Sequence, residues 1–268
     1  MLMKKIIKFL REEIDEDTYI SPSYFGIKKT DYQENKKSDI NSDLLHHSVS
    51  DVVDSNFNSD MSSDLNDKET KLAKLREEVL NCRKCELGYS RIKAVFGVGN
   101  PNAKVMFVGE GPGWEEDHRG EPFVGKAGQL LDKILASINL DRTKVYIANV
   151  VKCHPMINPQ TPDARGNDRP PTGKEISACR FYLEEQIRII KPLCIVTLGN
   201  TATKFILNSD DGVSKLRGKI YEIGKSFFFD FDIKVIPTYH PAALLRNPSL
   251  KKETWQDMKM LRDFLKDK

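Results

Sequence analysis

Four short apolar runs, at residues 105–109, 145–151, 194–198 and 234–238, are too continuous to be strands with one wet face. Strands of that kind are buried on both sides, as in parallel sheets covered by helices. Helical spacing of apolar residues falls between and after them, at 127–138, 174–190, 201–207 and 252–265. The alternation predicts an α/β fold, specifically a three-layer α/β/α sandwich with a mainly parallel central sheet. Ligands of such folds bind beyond the carboxyl ends of the strands. Every polar motif discussed below falls at such an end. Residues 216–231, rich in Tyr and Phe and broken by Gly218 and Gly224, suggest a small hairpin inserted before the last strand.

The folded body is expected to span residues 68–268, opening with a helix that carries Leu72, Leu75 and Val79 on one face. Residues 1–67 read as a disordered N-terminal extension. A short amphipathic helix fits residues 1–20, with Ile6, Ile7, Phe9, Leu10 and Ile14 on one side, and an acidic low-complexity linker containing His46 and His47 follows. That linker has too little apolar surface to offset the entropy of ordering it. Charge divides along the same line. Residues 1–70 hold 9 Lys+Arg against 15 Asp+Glu, a net of −6, and the remainder holds 33 against 24, a net of +9. A basic body suits a polyanionic partner, because each phosphate it neutralises releases condensed counterions. The extension is the segment through which a repair or replication protein could be recruited, and the body is expected to be a monomer. No run of 18 apolar residues is present, so no transmembrane helix or membrane partner is expected. Lys8 and Arg11 interrupt the opening apolar stretch and no small-residue cleavage site follows, so a cytoplasmic location is expected.

Five cysteines in such a chain are too few and too unevenly spaced for a disulfide framework. Cys82 and Cys85 form a C-x-x-C at the end of the first body helix, Cys153 lies just past the second strand, and Cys179 sits in the helix after it. Two close thiolates and two distant ones suit tetrahedral zinc or a [4Fe–4S] cluster. Cys194, at the start of an apolar strand, reads as a small buried hydrophobe.

The first strand ends in Gly109-Glu110-Gly111-Pro112-Gly113. Alternating glycines let a backbone approach a ligand closely and offer it N–H groups. A dinucleotide fingerprint would open directly into a helix, whereas Pro112 and the acidic residues 115–117 are expected to postpone the helix to about Ala127. Asn149 is the one amide in the second apolar run; buried, it must satisfy its polar atoms, and its carboxamide could pair with the edge of a pyrimidine. The last strand ends in Tyr239-His240-Pro241-Ala242-Ala243-Leu244-Leu245-Arg246, where a Pro-stiffened turn carries apolar residues and a cation. Such a turn could wedge into a base stack.

Taken together, GEGPG (109–113), EPFVGKAGQLL (121–131), NVVKC (149–153), HPAALLR (240–246) and the four cysteines, in this order, resemble the family 4 uracil-DNA glycosylases over residues 72–265. The resemblance implies a [4Fe–4S] cluster on Cys82, Cys85, Cys153 and Cys179, and the role expected of it is structural, clamping the entry helix against the sheet, rather than redox. It also implies a uracil pocket of Gly109, Glu110 and Gly111, with Phe123 stacked on the ring, Asn149 reading its edge and His240 at the leaving group. Leu244, Leu245 and Arg246 would fill the space left in the helix and hold phosphates. The implied activity is flipping uracil out of single- or double-stranded DNA and hydrolysing its N-glycosidic bond, which leaves an abasic site. The alternative is a non-catalytic iron–sulfur module of the same fold that binds DNA or accompanies a polymerase. Three features depart from the pattern. Gly111 stands where many members of the wider superfamily carry a water-activating Asp, which leaves Glu110 or Asn149 to position the water. Gly113 replaces the Tyr that blocks thymine's methyl in the best-known branch. The 25 residues between Cys153 and Cys179 form a longer loop than is usual.

Overall fold

The structure, a computed structural model, describes residues 55–224, 229–266 and 268, with side chains from residue 67 onward. The expected helix at 1–20, and His46 and His47, lie outside the described residues.

In chain order the elements are α1 (Ser55–Asn81), α2 (Leu87–Ser90), β1 (Val98–Gly99), β2 (Val105–Gly109), α3 (Trp114–Arg119), α4 (Lys126–Ala136), β3 (Tyr146–Asn149) and α5 (Gly173–Ile190). They continue with β4 (Cys194–Leu198), α6 (Asn200–Leu207), α7 (Val213–Leu216), β5 (Tyr221–Ile223), β6 (Ile233–Thr238), α8 (Pro241–Arg246), a 3-10 turn (Pro248–Leu250) and α9 (Lys251–Lys266). One six-stranded sheet runs β1-β3-β2-β4-β6-β5. The four central strands, β3, β2, β4 and β6, are parallel, and each edge strand pairs antiparallel with its neighbour.

Every residue of β2, β3 and β4 is buried, as the apolar runs require. Their period of two divides the core. Met106, Val108, Tyr146, Ala148 and Ile195 face Leu72, Leu75 and Val79 of α1 and Leu183 and Ile187 of α5. Val105, Phe107, Ile147, Val196 and Ile236 face Leu131 and Leu135 of α4 and Met258 and Leu261 of α9. Each such side chain contributes about 1.5–3 kcal/mol by leaving water. The three-layer α/β/α architecture is therefore the one the sequence implies, and Cys194 is fully buried within it.

Three details differ from the sequence reading. The first helix begins at Ser55 rather than near Lys68, since an established helix gains one hydrogen bond for each residue added. The acidic stretch after Pro112 does not delay helix formation: it is α3 itself. Glu115, Glu116 and Asp117 occupy its first turn, where the helix dipole favours negative charge, and Glu116 Oε2 accepts from Gly113 N at 3.2 Å. The hairpin before the last strand is not a separate insertion, because β5 pairs with β6 itself.

Candidate active site

The carboxyl ends of β2, β3, β4 and β6 open into one cleft of about 710 Å³. Gly109 and Asn149 are register partners on adjacent strands. A Cβ at Gly109 would lie 2.6 Å from Cζ of Phe123 and closer still to Oδ1 of Asn149, so only glycine lets these groups converge. Glu110 and Gly111 continue along the cleft wall, and the Glu110 carboxylate accepts a hydrogen bond from the Thr201 hydroxyl at the start of α6.

Phe123, Asn149 and His240 are brought together. The Phe123 ring is buried, and its centroid lies 5.4 Å from that of His240, with the planes 30° apart. Asn149 is 2% exposed, and its Oδ1 has no partner within the protein. A buried carbonyl oxygen left in that state costs about 1–3 kcal/mol, which a ligand N–H would recover. His240 ends β6 and caps α8: Ala242 N donates to its Nδ1 at 3.1 Å. With Nδ1 accepting, the neutral ring carries its proton on Nε2. Burial, aided by the Arg246 charge, pushes the His240 pKa down to about 4, so the ring is a neutral donor at physiological pH.

The turn after His240 is helical, and that sorts its side chains. Leu244 faces inward at 1% exposure, whereas Leu245 is 47% exposed and Arg246 also reaches solvent. Leu244 is therefore core, which takes it out of the expected wedge, and Leu245 and Arg246 are the exposed side chains of this turn.

Sequence reasoning missed the groups that hold these residues in place. Phe123 has φ 54°, a left-handed conformation that costs a non-glycine residue about 1–3 kcal/mol. Arg142 holds it there, donating to the carbonyls of Pro122 (3.1 Å) and Phe123. Glu116 Oε1 accepts from Val124 N (2.9 Å) and Gly125 N (3.0 Å). Arg142→Met should release this clamp, lowering stability by about 1–3 kcal/mol, as denaturant melts would measure. Lys152 is 1% exposed, and its Nζ donates to Asn149 O (2.7 Å) and Gln186 Oε1 (2.6 Å). Burial lowers its pKa to about 8. Thr238 donates to Asp257 Oδ2 at 2.7 Å, and Arg217 bonds both Asp257 oxygens, fixing the strand end two residues before His240.

His154 is fully buried, with Nε2 2.7 Å from Asp168 Oδ1 and Nδ1 3.6 Å from Asp117 Oδ2. Burial works against its charged form, yet the two carboxylates push its pKa up to about 9. The Asp117 carboxylate also accepts from Ile92 N and Lys93 N, tying α3 to the segment after α2.

Cys82, Cys85, Cys153 and Cys179 line one narrow cavity between α1, α2, α5 and the segment after β3. Among the described residues, no three Cys, His, Asp or Glu side chains converge closely enough to grip a single ion. The cavity nonetheless suits thiolates. Arg91 Nη1 donates to Cys153 Sγ (3.0 Å) and Lys152 N to Cys179 Sγ (3.2 Å). Burial pushes the Cys153 thiol up to about 12 and raises Cys85 and Cys179 as well. Without a counter-charge these thiols stay protonated, and a bound metal group would supply one. No described helix is long and apolar enough to cross a membrane.

Residues 96–259 match the family described as the uracil DNA glycosylase superfamily. A type-4 uracil-DNA glycosylase of Sulfurisphaera tokodaii is 46% identical over 198 residues, covering 72% of this chain and 84% of the relative. Those of Archaeoglobus fulgidus and Thermotoga maritima are 44% and 41% identical, over 69% and 71% of this chain and 88% and 92% of their own. The matched span contains the strand-end loops that converge on Asn149, Phe123 and His240, and the chain belongs to the uracil-DNA glycosylase superfamily, among the type-4 enzymes.

Proposed function

We propose that residues 68–268 form a DNA repair glycosylase that excises uracil from single- or double-stranded DNA by hydrolysing the N-glycosidic bond. The observation that carries this reading is the buried Asn149 carboxamide with a free Oδ1, in the cleft that the Phe123 ring and the neutral His240 ring also line. A uracil flipped from the stack presents an N3–H and two carbonyl oxygens. Asn149 Oδ1 accepts from N3–H and its amide N–H donates to O4, while Phe123 packs on the ring. Cleavage of the bond from N1 to the sugar C1′ leaves an oxocarbenium-like sugar, and the bonding electron pair departs on the uracil anion. His240 Nε2–H donates to O2, where that charge collects. Water then bonds to C1′, and its proton passes to the uracil anion, leaving an abasic sugar and neutral uracil. Glu110, one of whose carboxylate oxygens is held by Thr201, positions that water with its other oxygen; Gly111 has no side chain to do so.

Cys82, Cys85, Cys153 and Cys179 would hold a [4Fe–4S] cluster. When bound, it supplies a four-point tie between α1, β3 and α5 and a counter-charge for the thiolates. Exposed Leu245 and Arg246 enter the duplex and meet its phosphates. We assign the body to a monomer in the cytoplasm, with recruitment of a repair or replication protein left to residues 1–67.

The test is uracil release from a synthetic strand, read as alkali-labile breaks, with wild type and Asn149→Ala in parallel. Wild type should cut in the presence of a chelator of divalent metals. The variant should lose at least about tenfold, or ~1.4 kcal/mol. Intact uracil strands after incubation with folded holoprotein would overturn the assignment.

A further inference from the structure

The loop joining β3 to α5 contains a built substructure. Residues 156–168 leave and rejoin the body at a bridge between Met156 and Asp168. Within the loop, Asn167 Oδ1 accepts from Asn158 N (2.7 Å), and its Nδ2 donates to the carbonyls of Asn158 (2.8 Å) and Thr161 (3.0 Å). Just past the bridge, Arg169 is committed to Glu175 (2.6 and 2.8 Å) and Met156 O (2.8 Å). The loop then docks on α3: Trp114 Nε1 donates to Asp163 O (2.9 Å), and His118 Nε2 lies 3.1 Å from Asp163 Oδ1. A compact loop pinned at base and tip holds its side chains in fixed places.

That anchoring brings Arg165 to the edge of the uracil cleft. Its guanidinium lies over the Trp114 ring, 4.0 Å from the centroid, and the side chain is 72% exposed. The contact with Glu115 is loose at 3.9 Å and exposed, so it is exchanged for another anion at little cost. Stacking on an indole orients the guanidinium fork while leaving its N–H groups free. The cleft has need of such a group. Glu110, Glu115 and Glu116 all line it and repel a polyanion, opposed by Lys126, Arg165 and Arg246, while Arg169 spends four of its five N–H groups on Glu175, Met156 O and Pro170 O.

We propose that residues 156–168 form a DNA-contacting arm in which Arg165 takes a backbone phosphodiester of the strand whose uracil fills the pocket. The proposal rests on the uracil-excision reading of that pocket and adds a phosphate site, on the loop between β3 and α5, to a cleft that Arg246 also lines.

The test measures binding of duplex DNA carrying an abasic-site analogue, as a function of salt, by wild type, Arg165→Gln and Arg165→Lys. One phosphate contact adds about 0.9 to the slope of log affinity against log salt. A fourfold rise in salt should therefore weaken wild type ~3.5-fold more than Arg165→Gln. Arg165→Lys should keep the wild-type slope, and all three should melt at the same temperature. Equal slopes for wild type and Arg165→Gln, with wild type excising uracil normally, would overturn the arm and leave the glycosylase reading standing. An inactive wild type with a shallower Arg165→Gln slope would do the reverse. A parallel fall in slope and melting temperature in both variants would assign Arg165 to loop folding and also overturn the arm.

Discussion

His240→Ala should slow uracil release about 10²–10³-fold, ~2.7–4 kcal/mol in the barrier, while changing DNA affinity little. The asymmetry follows from when the hydrogen bond matters. In the bound substrate, O2 is an ordinary carbonyl oxygen; as the glycosidic bond breaks it takes on negative charge, and a donor already in place stabilises that charge without reorganisation. The site fixes the donor in advance, because Ala242 N occupies Nδ1 and leaves the proton on Nε2. The same burial gives the pH dependence its direction. With its pKa lowered to about 4, the ring stays neutral throughout the physiological range, so the acid limb of kcat/KM that belongs to His240 falls near pH 4 rather than near 6.5. The lowered pKa also affects stability. Between pH 6.5 and 4 the unfolded chain takes up a proton that the folded ring refuses, so the wild type loses stability on acidification. His240→Ala should lose less over that window, as urea titrations at pH 7 and pH 4.5 would show. A variant releasing uracil within threefold of wild type would remove His240 from the leaving group.

The strands were legible because burial on both faces leaves a continuous apolar run, which few other environments allow. Gly109, Asn149 and His240 were legible for a related reason: each is an anomaly at the end of such a run, placed by the strand before it. The supporting groups carry no comparable signal. Lys152 sits beside Cys153 in sequence and looks like one more surface cation of a basic body. Its burial is decided by Gln186, 34 residues away on α5. Arg142 is likewise unremarkable until the chain brings it to the carbonyls of Pro122 and Phe123. Asp117 and His154 become a buried pair only through tertiary packing. Leu244 was placed in the wedge because the apolar residues of the Pro-stiffened turn after His240 were all read as exposed. One and a half turns of helix place Pro241 and Leu244 inward and leave Leu245 outside. The acidic residues of α3 were misread in a similar way, since polar composition marks a loop only where no helix N-terminus can use the charge.

Loss of a single cluster ligand should be felt well beyond the cysteines. Cys179→Ala should abolish the broad visible absorption expected of a [4Fe–4S] protein and lower stability by at least about 4 kcal/mol, or roughly 8–16 °C for a body of this size. The tether explains the breadth of the effect. Cys82 follows α1 and Cys85 precedes α2, so a cluster shared with Cys153 and Cys179 would hold the entry helices against α5 and the sheet. With it gone, Leu72, Leu75 and Val79 must keep α1 docked by apolar contact alone. Hydrogen exchange should therefore rise first across residues 67–91. Arg91 would accelerate the loosening, since it joins Leu80 O to Cys153 Sγ and loses a thiolate partner. The disturbance also reaches the pocket. Cys153 lies four residues past Asn149, and Lys152 between them bonds both the Asn149 carbonyl and, through its own N–H, Cys179 Sγ. Uracil release should consequently fall together with the absorption, even though no cysteine lines the uracil cleft. Cys194→Ala provides the control: buried in β4 and remote from the cysteine cavity, it should cost about 1 kcal/mol for the small void and leave the visible absorption intact. A colourless wild type containing stoichiometric zinc would overturn the iron assignment. Unchanged exchange across 67–91 in Cys179→Ala would show that packing, not the tether, holds the entry helices.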